Sequence, residues 1–257
     1  MKIHYTHSYL IQPGHKITVD LVGVGGTGCR MLTNLARINE GLVGLGHPGL
    51  HVRSWDDDIV TAANKGRQLF SDADLGLNKA IVLTTRINRF FGYEWEAVPE
   101  YYGGQKGTSN ILITCVDTAK SRVMLDLKLS DRNQKNAAPP NIQYYWLDLG
   151  NTQKAGQCVL GTFQKIEQPT SEFKTKAELP NVIKKFPQIK KMIDKDDKSG
   201  PSCSIAEALE KQDLCINTVL AEFGTSLLWQ LLRDHKIKHH GCFVNLETFV
   251  TNPIKIQ

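Results

Sequence analysis

Residues 16–23 read KITVDLVG, a run of β-branched and apolar side chains that passes straight into glycine. That pattern predicts a buried strand delivering the backbone to a tight turn. Apolar positions Met31, Leu32, Leu35 and Ile38 then recur at the spacing of one helix face. The alternation continues: LHVRSWD predicts a second strand, NKAIVLTTRINRFF a helix, YEWEAVP a third strand, NILITCVD a buried fourth, and residues 119–129 another helix. Strands and helices in turn are the mark of a parallel sheet with helices on its faces.

Further along, IQYYWLDLG and GQCVLGTF predict two more strands joined by a short polar turn. Residues 167–202 differ in kind. Pro169, Pro180, Pro187 and Pro201 interrupt any long element, which predicts a mobile crossover connection with at most a short helix near 181–193. Its lysines, among them Lys184, Lys185, Lys190, Lys191, Lys195 and Lys198, suit a solvated face better than a binding patch, although an acidic protein partner would fit them. SIAEALEKQDLCINTVLAEFGTSLLWQLLR then predicts one long helix, opened by a capping box of Ser204 and Glu207. Ile205, Leu209, Ile216, Leu220, Phe223, Leu227 and Leu231 form its apolar stripe. GCFVNLETFVTNPIKI closes the chain as a strand or hairpin. The whole reads as an α/β fold, a Rossmann-like doubly wound mixed sheet in a single domain over 1–257, with a long C-terminal helix and strand.

Composition narrows the function classes. With 257 residues, 41% of them hydrophobic, the chain has material for a substantial core. Its formal charge of +5, from 31 basic against 26 acidic residues, suits phosphate or an acidic partner and falls short of a nucleic-acid footprint. The six cysteines, Cys29, Cys115, Cys158, Cys203, Cys215 and Cys242, show no C-x-x-C spacing, which argues against a structural zinc site. The opening MKIHYTHSYLIQPGHK lacks an apolar run with a cleavage site, and no segment approaches the ~20 apolar residues that span a bilayer. A soluble, cytoplasmic protein with reduced thiols and no membrane partner is expected.

Candidate chemistry begins at GVGGTG. Gly23, Gly25 and Gly28 fit G-x-G-x-x-G between a strand and a helix, where missing side chains let backbone N–H groups and a helix N-terminus approach phosphate. The triplet alone also describes a plain tight turn; the strand before it and the helix after it favour a nucleotide. Asp56, at the end of the second strand, is placed to hold a ribose. Asp58, Asn64, Arg67, Gln68 and Lys79 exceed what a pyrophosphate diester needs and suit a triphosphate with its metal. Asp117, at the end of the fourth strand, offers the hard oxygen that magnesium prefers. Plainer readings stand beside these: Asp58 and Asp117 as turn formers, Arg67 and Lys79 as surface residues of a helix start.

Taken together, GVGGTG, D-x-D followed by NKGRQLF, Lys79 after DLGLN, and CVDTAKSR resemble the ThiF/MoeB family, bacterial relatives of ubiquitin-activating enzymes. The matched motifs cover residues 17–122. GVGGTGCRMLTNLAR, ANKGRQLF and CSIAEALEKQDLCIN look more narrowly like the ThiF-like member of plasmid-associated PRTRC systems. The resemblance implies that Gly26, Asp56, Asn64, Arg67, Lys79 and Asp117 contact ATP and magnesium. It implies adenylation of the Gly-ended C-terminus of a ubiquitin-like or sulfur-carrier protein, with Arg67 and Lys79 stabilising charge as pyrophosphate departs. It further implies a homodimer, and leaves room for a conjugating-enzyme-like partner.

Many relatives pass the acyl group to a cysteine, and Cys203 is the candidate, since PSCSIAEA resembles the transfer-cysteine setting of the eukaryotic enzymes. A thiol ahead of a helix has its pKa lowered, yet a small apolar residue packed there fits equally well. Cys115 and Cys215, inside a strand and a helix, read as core, and Cys29 as packing. His235, His239 and His240, interleaved with Lys236 and Lys238, read as a basic helix end. The sequence also departs from the family. Its first arginine is Arg30, so an N-terminal arginine acting across a dimer is missing, with Lys2 or Lys16 left to replace it; CVDT keeps the acid of the usual CTDN and loses the amide. A non-catalytic nucleotide-binding scaffold and an NAD-dependent oxidoreductase remain as alternatives.

Overall fold

The computed structural model describes residues 2–103, 109–130, 138, 141–193 and 204–257. In chain order its elements are β1 (His4–Tyr5), α1 (Ser8–Ile11), β2 (Ile17–Val22), α2 (Gly26–Gly44), β3 (Leu50–Trp55), α3 (Lys79–Phe91), β4 (Glu96–Val98), β5 (Ile111–Thr114) and α4 (Ala119–Ser130). There follow β6 (Tyr145–Asn151), β7 (Ala155–Thr162), α5 (Val182–Lys185), α6 (Ile205–Lys211), α7 (Ile216–Arg233), β8 (Lys236–Ile237), β9 (His239–Asn245) and β10 (Val250–Lys255).

Eight strands form one sheet in the order β10-β9-β7-β6-β5-β2-β3-β4, and β1 pairs separately with β8. The five strands from β6 to β4 run parallel, while β7, β9 and β10 join antiparallel, so the sheet is mixed as expected. Register aligns the ends that matter. Val22 lies opposite both Trp55 and Thr114, and Thr114 opposite Asp148, so β2, β3 and β5 release their chains at one edge.

Side-chain alternation explains the two layers. Ile111 and Ile113 face one core with Leu32, Leu35, Leu220 and Leu228 of α2 and α7. Leu112 and Trp146 face the other with Val123, Leu129 and Val182 of α4 and α5. Strands buried on both faces read as continuous apolar runs, which is why the fourth strand was legible. Asp20 interrupts β2 and is fully buried; Arg53 reaches it through Nε (2.7 Å) and Nη2 (2.9 Å), and the Trp55 indole donates at 3.0 Å.

Three expectations need correction. The single long helix is two, α6 and α7, because the chain between them is diverted. The Asp213 N–H donates to the Gln153 carbonyl (2.9 Å), and the Asp213 carboxylate accepts from the Cys215 N–H (3.0 Å). Leu209 and Phe223 consequently leave the apolar stripe and stand more than a third exposed, whereas Ile216, Leu220 and Leu231 are fully buried. Cys215 is not core; it is exposed as the N-cap of α7. The histidine-rich stretch is strand rather than helix end, and His240 is buried in β9 with Nδ1 donating to the Leu160 carbonyl (2.9 Å).

The crossover's short helical part falls where expected, as α5 and a 3-10 turn over Pro187–Met192. Ile166, Leu179, Val182, Ile183 and Ile189 are buried along it, and Ile3 bridges to Thr175. Residues 194–203, including Cys203, lie outside the described residues. Among the described residues no helix is long and apolar enough to cross a membrane.

Candidate nucleotide site

The aligned strand ends converge on the glycine turn. Gly23 has φ +84°, its N–H donates to the Trp55 carbonyl (2.8 Å), and a Cβ there would sit 3.0 Å from the Cys115 carbonyl oxygen. A Cβ on Gly28 would lie 1.8 Å from the Gly23 oxygen, so only glycine lets α2 close over β2. Gly26 is needed for a different reason, since a Cβ would come 2.7 Å from the Asn217 side chain on α7. Gly25, the N-cap of α2, provides no capping side chain, which leaves the first N–H groups of α2 available to an anion.

Asp56 is held tightly: Oδ2 accepts from the Val24 N–H (2.7 Å) and Oδ1 from the Asp58 N–H (3.0 Å). Burial raises its pKa, and the nearby Lys79 charge opposes the shift. Lys79 is 7% exposed, opens α3, and donates from Nζ to Asp58 Oδ2 (2.7 Å). Asn78 fixes this arrangement, donating to the carbonyls of Asp56 (2.8 Å) and Asp58 (3.1 Å) while accepting the Ile81 N–H (3.1 Å). Asn64 uses its side-chain oxygen to accept the Thr61 N–H (2.8 Å), closing the 3-10 turn that it ends.

Arg67 is half-buried, and burial lowers its pKa while the Asp117 carboxylate opposes the shift. Its Nη1 donates to Gln212 Oε1, while its Nε is buried without a partner. Gln68, also buried, has an unpaired Oε1, and its amide lies 3.8 Å from the place a Cβ on Gly25 would take. The unpaired Arg67 Nε–H, a buried donor beside an uncapped helix start, is what a polyanionic ligand satisfies. Asp117 is exposed on the loop after β5. The adjoining backbone is clamped by Arg122, which donates to the carbonyls of Val116 and Thr118 and through Nε to buried Asp148 (3.0 Å). Among the described residues, the acids grouped closely enough to share a cation are Asp56, Asp57 and Asp58, with oxygens within 4.8 Å of one another; Asp117 stands outside that group.

Burial disfavours the thiolate form at both described cysteines near the turn. Cys29 is buried, its thiol donates to the Gly26 carbonyl (3.1 Å), and burial pushes its pKa up; Cys115 is driven far higher, also by burial. A depression of about 320 Å³ on β7 and β9, lined by Gly156, Phe243 and Val250, carries no titratable side chain and offers no competing chemistry.

Sequence reasoning missed four residues that shape the site: Asn78, Arg122, Gln212 and Asn217. Asn217 left a trace, as an amide within the apolar stripe of α7; Arg122 closes CVDTAKSR. Gln212 left none, because it acts from a break that the helical period concealed.

A mixed α/β sheet with a glycine turn, an uncapped helix start and converging cations defines a nucleotide-binding protein of the doubly wound class. Within that class the chain belongs to the ThiF family, whose profile matches residues 14–210. Among solved structures it is similar to PaaA (TM-score 0.59, 14% identity, covering 93% of this chain and 64% of that one). It is also similar to E. coli MccB (0.59, 13%, 96% and 63%) and to E. coli MccB with ATP (0.61, 12%, 96% and 64%). The chain thus spans a little under two thirds of the length of these structures. No curated protein matches its sequence.

Proposed function

We propose that the chain is an ATP-dependent adenylyltransferase, working as one adenylating domain, that activates the C-terminal carboxylate of a ubiquitin-like or sulfur-carrier protein. The observation that carries this reading is the convergence, at one sheet edge, of an uncapped α2 with buried Lys79 and half-buried Arg67, whose Nε lacks a partner. The neighbours lend support: E. coli MccB is solved with ATP, and also with AMPCPP and MccA.

On this reading the α2 N-terminus and Gly25 to Gly28 receive phosphates, Asp56 faces the ribose, and Asn64 and Gln68 complete the polar wall. Arg67 and Lys79 stabilise the charge that builds as the carboxylate attacks the α-phosphate and pyrophosphate leaves. Lys79 must release Asp58 to do so, which frees that acid for magnesium or for its turn. Asp117 and the acids at 56–58 supply hard oxygen donors; magnesium held there neutralises phosphate charge. Cys203 is the proposed acyl acceptor, and a homodimer the proposed assembly.

ATP–pyrophosphate exchange with a small Gly-ended partner tests the reading. Exchange is expected with the parent and about a hundredfold less with Arg67→Ala or Lys79→Ala. Binding of ATP without exchange for any such partner would instead make the chain a nucleotide-binding scaffold. Tight NAD binding in place of ATP would sink both. A reducible partner adduct that persists in Cys203→Ala removes Cys203 from the scheme.

A further inference from the structure

We propose that Gln212, at the break between α6 and α7, is the positioning residue that aims Arg67 at phosphate, and that Asn217 sets Gln212 from the glycine turn. The inference rests on the nucleotide reading above.

Arg67 lies in an irregular stretch beyond a single 3-10 turn, Ala62–Asn64, so no regular element fixes its side chain. Among the described residues, its hydrogen-bond partner is Gln212 Oε1. That oxygen also accepts from Asn217 Nδ2 (3.4 Å), and Asn217 Oδ1 accepts from Thr27 Oγ1 (2.9 Å). Asn217 is 2% exposed and Thr27 is buried in the first turn of α2. Four side chains, Thr27, Asn217, Gln212 and Arg67, therefore form a line from the helix that receives phosphate to the guanidinium that would bind it. Asn217 also fills the space against which Gly26 is bare, so the line is keyed to the backbone of the turn itself.

The chemistry of the holder is as informative as its position. A carboxylate at position 212 would pair with Arg67 more strongly but cancel the charge that phosphate requires. A neutral amide orients the guanidinium and leaves its charge intact. Thr27, Asn217 and Gln212 are all uncharged, so the line aims the cation without competing electrostatically for it.

Calorimetric titration of the full chain with magnesium ATP and, separately, with AMP tests this. Gln212→Ala is expected to weaken ATP about tenfold and AMP little, because on the proposed reading Arg67 meets the departing pyrophosphate, which AMP lacks. Gln212→Glu is expected to weaken ATP further while preserving the fold, which thermal melting checks. In an Arg67→Ala background, Gln212→Ala should cost nothing more. Unchanged or tighter ATP binding by Gln212→Ala, or equal losses for ATP and AMP, overturns the positioning role. Failure of the parent to bind ATP removes the nucleotide reading and this inference with it, whereas an unaffected variant beside a binding parent removes this inference alone.

Discussion

At the scale of single residues, glycines in this chain are required for different reasons, and substitution separates them. Gly66 has φ +77° but open space around it, so Gly66→Ala meets only the left-handed backbone penalty, about 1 kcal/mol. At Gly28 the added methyl would strike the Gly23 carbonyl, a backbone atom that cannot rotate aside. Gly28→Ala is expected to cost about 3 kcal/mol or more in denaturant unfolding and to lift α2 from the turn. Equal costs for the two variants would show that the close approach at Gly28 relaxes freely. The sequence identified the glycines but not this distinction, because a one-letter pattern records a missing side chain without recording what occupies the space. Asn217, which makes Gly26 necessary, is almost two hundred residues away along the chain.

Among elements, the loop that carries Asp117 depends on helix α4 and strand β6 together. Arg122 and Asp148 are both buried; Asp148 accepts from Arg122 and from Thr114 Oγ1 (2.7 Å), and Thr114 in turn accepts from the Trp146 indole (2.8 Å). Removing one partner of a buried pair strands the other charge, so Asp148→Ala is expected to destabilise the protein by about 3–5 kcal/mol. Faster amide exchange over 115–118 should accompany that loss, and its absence would show that Arg122 holds the loop without help from Asp148. The parallel strands and the helices between them were legible because period and turn chemistry agree there. The division of the last long helix was not. Leu209, Ile216 and Phe223 keep a helical spacing across the break, while the cause of the break, Gln153, belongs to another part of the chain. Of the polar residues expected at the site, Asp56, Asp58, Arg67, Gln68 and Lys79 do gather around the turn. Asn64, also expected there, uses its side-chain oxygen within its own turn.

For the molecule as a whole, buried histidines make the fold acid-sensitive. His4 is fully buried, donating from Nδ1 to the Lys176 carbonyl (2.7 Å) and accepting the Tyr145 hydroxyl at Nε2 (3.0 Å), and burial pulls its pKa from the ordinary 6.5 down to about 4. His240 shifts the same way, again through burial. Between these two pH values the unfolded chain binds a proton that folded His4 refuses. Its contribution is therefore complete above pH 6.5 and lost as pH falls towards 4. For His4 alone that loss amounts to about 3 kcal/mol. Melting temperature should fall between pH 7 and 5, and His4→Gln should flatten the slope; an unchanged slope would assign acid sensitivity elsewhere.

The same histidine belongs to β1, where His4 lies opposite Ile237 and Ile3 bridges Thr175. Closing so long a span is entropically slow, and a ribosome delivers the earlier partner well before the later one. β1 thus has no strand partner until residues 236 and 237 follow it, more than two hundred positions later, and a nascent chain stalled short of that point would leave its edge open to capture by chaperones.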